Sequence, residues 1–350
     1  MSRNIFFYKE IKLLDKLTDD EREAQITLKN LKNHIMVLAS DSLEGREVGQ
    51  PGEQKAADYM SNYFKNIGIS PYKDSTYYQN IPLEKRNLES ASININNTQY
   101  EFKKDFYTYP NFSQTSIKTQ EILFLGYGID SQNYSDYTIN TEGKVIMVFT
   151  GEPKDKNGNH LVSGGKERCP ESNWKIKLNK AKEKGAKAAF FITENYQESY
   201  ERAEHKIEHP GVSLTKKEEP IPFFFISKDM AEEIIGVKKI EKFKKKIESK
   251  KQSFNKIINK QLVLETKNRD NFFFGKNVLG FIEGTDPELK NEIIVITAHY
   301  DHLGIIDGLI HNGADDNATG TAAILEVAAA FQLAKKSGQN FKRSILCFPN

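Results

Sequence analysis

Two cysteines, Cys169 and Cys347, are the only thiols in 350 residues. They are too few for a disulfide framework or a thiolate metal cluster, and they leave the redox compartment open. Charge of one sign is also missing: 50 Lys+Arg against 48 Asp+Glu leave a formal net charge of +2, so no global field argues for nucleic acid or a membrane surface as the main partner. Long apolar runs are absent as well. Stretches such as Ile293 to Ile296 fall far short of the roughly 20 residues that a bilayer demands, and no membrane span is expected. At the start of the chain, MSRNIFFYKEIKLLDKL is interrupted by Lys9, Glu10, Lys12, Asp15 and Lys16, which gives no export signal. No internal repeat is visible.

What is present is a globular composition. Hydrophobic residues make up 38% and charged residues 28%, with 22 Phe and 15 Tyr, which excludes disorder as the main reading. The length is about twice that of one ordinary domain, so one large unit with an insertion, or two domains, is expected.

Periodicity orders the chain into three stretches. Ala56, Ala57, Met60, Tyr63, Phe64 and Ile67 recur on one face and predict a helix over 53–67, stopped by Gly68. The glycine-rich loop before it, ASDSLEGREVGQPG, carries Glu44 and Arg46, and its composition places both at the surface. From about Thr119, short apolar runs separated by turns predict strands at 122–125, 145–149, 188–192 and 223–226, forming a β-rich module with its own core over 119–262. That module closes at 237–260, where ten lysines face only Glu241 and Glu248 while Ile240, Phe243 and Ile247 keep a helical stripe. This reads as a solvated helix face. The runs NVLGFI and EIIVITA, at 277–282 and 292–298, then predict strands of a sheet buried on both faces. A buried helix over 321–334 and a strand from Ser344 follow.

Chemistry concentrates in AHYDHLGIIDGLIHNGADDNATG, residues 298–320. His299 stands just beyond an apolar strand, where open α/β sheets place ligands. Asp301, two residues on, is within reach of the second ring N–H of a metal-bound imidazole. Adjacent acids, Asp315 and Asp316, then feed a helix, and a carboxylate there can bridge two cations about 3.5 to 4 Å apart. A plainer reading is that Asp315, Asp316, Asn317 or Thr319 merely caps the helix. Capping justifies one of them, and it does not justify His299. A second metal pattern, H-x-x-E-H at His205, Glu208 and His209, is discounted because Pro210 ends the helix at once and no apolar stripe is apparent to bury a site.

The stretch AHYDHLG followed by NGADDNATGTA resembles the metal signature of the co-catalytic zinc exopeptidases, the family of bacterial leucyl aminopeptidases that also includes glutamate carboxypeptidase and, as an inactive relative, the transferrin receptor. LASDSLEGREVGQPGEQKAADYMSNYFKNIGISP resembles the segment upstream of that signature, and YSDYTINTEGKVIMVF resembles the family's protease-associated domain. The resemblance implies an α/β fold, a mixed sheet flanked by helices, formed by 20–115 and 265–350 and interrupted by a protease-associated insert at 119–262. It implies a metallo-aminopeptidase acting on peptides, with His299 on one zinc, Asp316 bridging two, Asp301 orienting His299, and Asp316 joined to Asn317 by a cis peptide. Carboxypeptidase and glutaminyl cyclase activities, and a non-catalytic scaffold like the transferrin receptor, remain as alternatives. His302 is given no ligand role, and His311 is expected to be structural or at a cleft rim. The family's Glu-Glu pair and its further Asp and His ligands are not found before Asn350. Two expectations compete, a truncated portion of a longer enzyme and a complete but degenerate relative; the stop in mid-strand favours truncation, with the peptidase fold incomplete and the chain inactive alone. Relatives are mostly exported.

Overall fold

A computed structural model describes residues 26–73, 75–155, 157–215, 218–250 and 252–350. The reading of residues 1–17 lies outside them. The described residues divide into two compact units, one of residues 26–83 with 273–350 and the other of 84–272.

The first unit is built on three helices and a small mixed sheet. Helix α1, Leu28–Leu38, starts at Thr27, whose side chain accepts from Asn30 N at 3.1 Å. Helix α2, Pro51–Ile67, has Pro at its first turn and ends on Gly68 in the left-handed region. Helix α3, Thr319–Lys336, is rich in alanine and leucine and buries Ala322, Ile324, Leu325 and Ala328. The strands are β1, Ser70–Pro71; β2, Gly280–Ile282; β3, Ile293–Ala298; β4, Gly304–Ile306; β5, Leu309–His311; and β6, Ser344–Pro349. The sheet runs β1-β2-β6-β3, with β6 antiparallel to β2 and parallel to β3, while β4 and β5 form a separate hairpin. Leu38, Ala56, Met60, Phe64, Val278, Ile282, Leu325, Ile345 and Cys347 share one core. Inside it, Glu326 of α3 contacts His34 of α1 and Tyr63 of α2, each at 3.1 Å, so a buried carboxylate ties the three helices together.

Strand β3 departs from expectation. Its continuous apolar sequence predicted burial on both faces, yet it is the edge strand of the sheet, with Ile294 and Val295 about half exposed. The apolar run is the same in both cases. Burial on both faces takes a covering layer on each, and at this edge strand Ile294 and Val295, which point to opposite faces, stay open among the described residues.

The second unit holds a nine-stranded sheet. Strands Thr115–Leu125, Val145–Phe149, Ala188–Thr193 and Phe223–Ser227 lie side by side and parallel, and the middle two are buried at every position. Helices Trp174–Glu183 and Tyr196–Glu208 occupy the crossovers that parallel pairing requires. The unit extends beyond 119–262 at both ends: Ile93, Ile95, Tyr100, Phe106, Tyr107 and Phe112 join its core before that range and Leu264 after it. Ile240, Phe243 and Ile247 are buried on the lysine-rich helix Lys239–Lys250.

Candidate metal centre

Strand β3 delivers His299 at its C-terminal end. Tyr300 N donates to Asn350 O and Asn350 N to Ala298 O, so the backbone stays anchored to β6 right up to the histidine. From there the chain turns through Asp301 and His302 into the β4–β5 hairpin and returns through Asn312 and Gly313 to the loop 314–318 and α3. Gly313 adopts φ of 59°, and a Cβ there would meet the His302 ring at 2.6 Å and Asp316 O at 2.6 Å. Only glycine fits the point where the two arms meet.

The two arms bring three of the expected side chains together. His299 Nδ1 lies 3.3 Å from an Asp301 carboxylate oxygen, and His299 Nε2 lies 3.2 Å from Asp316 Oδ1. A carboxylate on Nδ1 selects the tautomer that leaves Nε2 free as a donor to a cation. Two tetrahedral ligand atoms about 2.0 to 2.1 Å from one zinc stand just over 3 Å apart, so the Nε2–Oδ1 separation fits a shared ion. His302 is farther off, with Nδ1 4.0 Å from the other Asp316 oxygen, and burial pulls its pKa down, which favours a neutral ring. Among the described residues, no three His, Cys, Asp or Glu side chains converge as a complete cation site. The donors present fit zinc in type and spacing and would supply part of its coordination.

Capping falls to a different residue. Asn317 Oδ1 accepts from Gly320 N at 3.0 Å, which satisfies the first turn of α3. The exposed Asp316 carboxylate faces His299 and His302 instead. The Asp316–Asn317 peptide is cis. Thr321, fully buried in α3, places its hydroxyl 3.0 Å from His299 O and 3.1 Å from Asn317 O, spanning both arms behind the side chains.

Arg46 corrects the surface reading of its loop: it is completely buried. Its guanidinium donates from Nε to Tyr300 O at 2.6 Å, from Nη1 to Asn312 O at 2.6 Å and to Leu38 O, and from Nη2 to Gly313 O at 2.9 Å. Glu53, also buried, accepts from Gly49 N and Lys276 N and lies 3.3 Å from the Tyr300 hydroxyl. Sequence reasoning missed both, because charge in a glycine-rich stretch reads as solvent-facing. The adjoining E-G-R was the available signal: Glu44, Gly45 and Arg46 all adopt positive φ, and a Cβ on Gly45 would strike Gly304 O and His311 O at 2.5 Å each. His311 itself is half-buried, on the hairpin strand β5.

The H-x-x-E-H residues form no comparable centre. Helix Tyr196–Glu208 does bury a stripe, Tyr200, Ala203 and Ile207, contrary to expectation, but His205, Glu208 and His209 are exposed, and Glu208 is held by Lys103 at 2.7 Å. No described helix is long and apolar enough to cross a membrane.

Comparison with known proteins points at the same segment. Residues 277–348 match the model of peptidase family M28. Among solved structures, an aminopeptidase from Aneurinibacillus sp. strain AM-1 is similar at 15% identity with a TM-score of 0.48, over 95% of this chain and 64% of that one. BSAP, a zinc aminopeptidase from Bacillus subtilis, is similar at 16% identity with a TM-score of 0.36, over 91% of this chain and 60% of that one. The chain thus spans less than two thirds of the length of either. No curated protein matches it.

Proposed function

Starting from the match of residues 277–348 to the model of peptidase family M28, we propose that this chain carries ligands of a co-catalytic zinc site that hydrolyses peptides from their N-terminus. The carrying observation is the line Asp301–His299–Asp316, with Asn317 doing the capping that would otherwise explain the acids. His299 and Asp316 would hold the metal. Zinc, when bound, supplies Lewis acidity toward a scissile carbonyl and toward water. Asp301 holds the proton on His299 Nδ1 and keeps Nε2 aimed at the cation. Asp316, with two oxygens on an exposed loop, is free to serve one ion or two. A non-catalytic scaffold would need none of these three groups in this alignment. The same reading takes the 84–272 unit as the protease-associated insert.

Zinc titration of the full chain against a chromophoric chelator tests the reading. The parent is expected to compete measurably. Asp316→Asn keeps the shape and removes the charge, and it should weaken binding at least tenfold. Asp301→Asn should weaken it by about 10 to 100-fold, as partners of a ligating histidine do. Parent-like affinity in Asp316→Asn would overturn the ligand assignment.

A further inference from the structure

We propose that Arg46 is the positioning residue of the metal centre, a buried clamp that sets the distance between the arm bearing His299 and the arm bearing Asp316. The proposal rests on the zinc reading for its functional meaning, but its geometry stands without a metal. Four carbonyls converge on one guanidinium. Tyr300 O lies between His299 and Asp301 on the first arm, and Asn312 O and Gly313 O lie at the base of the second. Leu38 O, at the end of α1, fixes the clamp to the helical layer. Arg46 also works through its own backbone: its carbonyl accepts from His302 N at 3.1 Å, so the residue grips the first arm on both sides of Asp301.

Two features separate this arrangement from an ordinary buried ion pair. Among the described residues, the guanidinium's hydrogen bonds go to backbone and no carboxylate touches it; Asp301 and Asp316 act on it only through space. A planar fork with five donors can satisfy four carbonyls at fixed angles, which an ammonium on a flexible stem cannot. The charge is also placed asymmetrically. It is buried behind the loops whose exposed outer face presents Asp301 and Asp316. Tyr300 is held at its other end as well: its hydroxyl donates to Lys276 O at 2.6 Å and lies 3.3 Å from Glu53. A residue pinned at carbonyl and hydroxyl leaves His299 and Asp301, on either side of it, little freedom to swing.

The test compares Arg46→Lys, Arg46→Met and Glu53→Gln in the full chain, without metal and with zinc. Hydrogen exchange, read by mass spectrometry, follows peptides covering 298–303 and 311–318, with 322–328 of the buried helix α3 in the same unit as a folding control. Arg46→Lys keeps charge and volume yet lacks the fork, so exchange in both loop peptides should rise at least tenfold while the control holds, and zinc affinity should fall by about 10 to 100-fold. Glu53→Gln should loosen only 298–303. If Arg46→Lys leaves both loop peptides protected as in the parent, the clamp is refuted. Loss of protection in the control as well as the loops would mean general unfolding and would equally count against a positioning role. A parent that binds no zinc but shows the loop-specific loosening in Arg46→Lys would reject the zinc reading and leave the clamp standing.

Discussion

Each unit of this chain buries one cation that is satisfied by backbone carbonyls, and the two serve different ends. Arg46 in the first unit bridges three separate stretches of chain and supports the loops of the candidate metal centre. Lys177 in the second unit, 2% exposed, donates to Phe149 O and Gly151 O, where a core strand turns into a loop. Arginine stays charged under burial, so its clamp is insensitive to pH. Lysine does not: burial drags Lys177 down to about 7, against the pull of Asp136, Cys169 and Glu152 in the other direction. The lesson is that a buried positive charge is tolerated for its geometry in one place and is a titratable liability in the other.

The comparison breaks most visibly at Arg46. Arg46→Met fills similar volume but orphans the carbonyls of Leu38 and Tyr300 in buried bonds and those of Asn312 and Gly313 in part-buried ones. At about 1 to 3 kcal/mol for each buried group left unpaired, with partial relaxation, the expected loss is roughly 4 kcal/mol or more. Denaturant unfolding of the variant should register it, and a loss below about 1 kcal/mol would mean that water or a neighbour replaces the guanidinium.

Lys177 should give a smaller and pH-dependent signal. Its pKa falls from an ordinary 10.5 in the unfolded chain to about 7 in the folded one, so between these values the unfolded state binds the extra proton. Stability therefore rises with pH across that window, by at most about 1.4 kcal/mol per pH unit from this group, and its burial penalty is fully present below pH 7. Asp136, raised by burial to about 6, titrates below the window. Unfolding of parent and Lys177→Met between pH 7.5 and 9.5 should show a positive slope that the variant loses. Equal slopes would show that Lys177 stays charged.

Much of this contrast could not be read in advance from the chain. The convergence of His299, Asp301 and Asp316 in the candidate metal loop was legible because they stand in a motif whose spacing carries chemistry, and helices α2 and α3 were legible from their apolar stripes. Arg46 was not, since a side chain that bonds only to backbone leaves no partner residue in the sequence to betray it. Strand β3 misled for a related reason: an apolar run records what a strand needs covered, not whether a neighbour covers it. Tyr107 and Phe112 were missed as members of the second unit's core because single aromatics among polar residues show no period, although they pack against Phe223 and Phe225.

The smallest expected effect sharpens the comparison at the helix caps, where both units use asparagine. Asn173 Oδ1 accepts from Lys175 N at 2.9 Å at the start of helix Trp174–Glu183, and Asn317 Oδ1 accepts from Gly320 N at 3.0 Å at the start of α3. Alanine at either position removes one cap and should cost about 1 kcal/mol. The stability losses should therefore be alike. Their consequences for zinc should not be, because Asn317 is bonded directly to Asp316 and its carbonyl lies 3.1 Å from the Thr321 hydroxyl that also spans to His299. Asn317→Ala should lower zinc affinity several-fold, whereas Asn173→Ala should leave it unchanged, and Asn317→Asp, an equally good cap, should restore most of the stability. Zinc titration and denaturant midpoints on the three variants decide the matter. Equal zinc affinities in Asn317→Ala and Asn173→Ala would show that the cap of α3 supports the helix alone and that the position of Asp316 is set elsewhere.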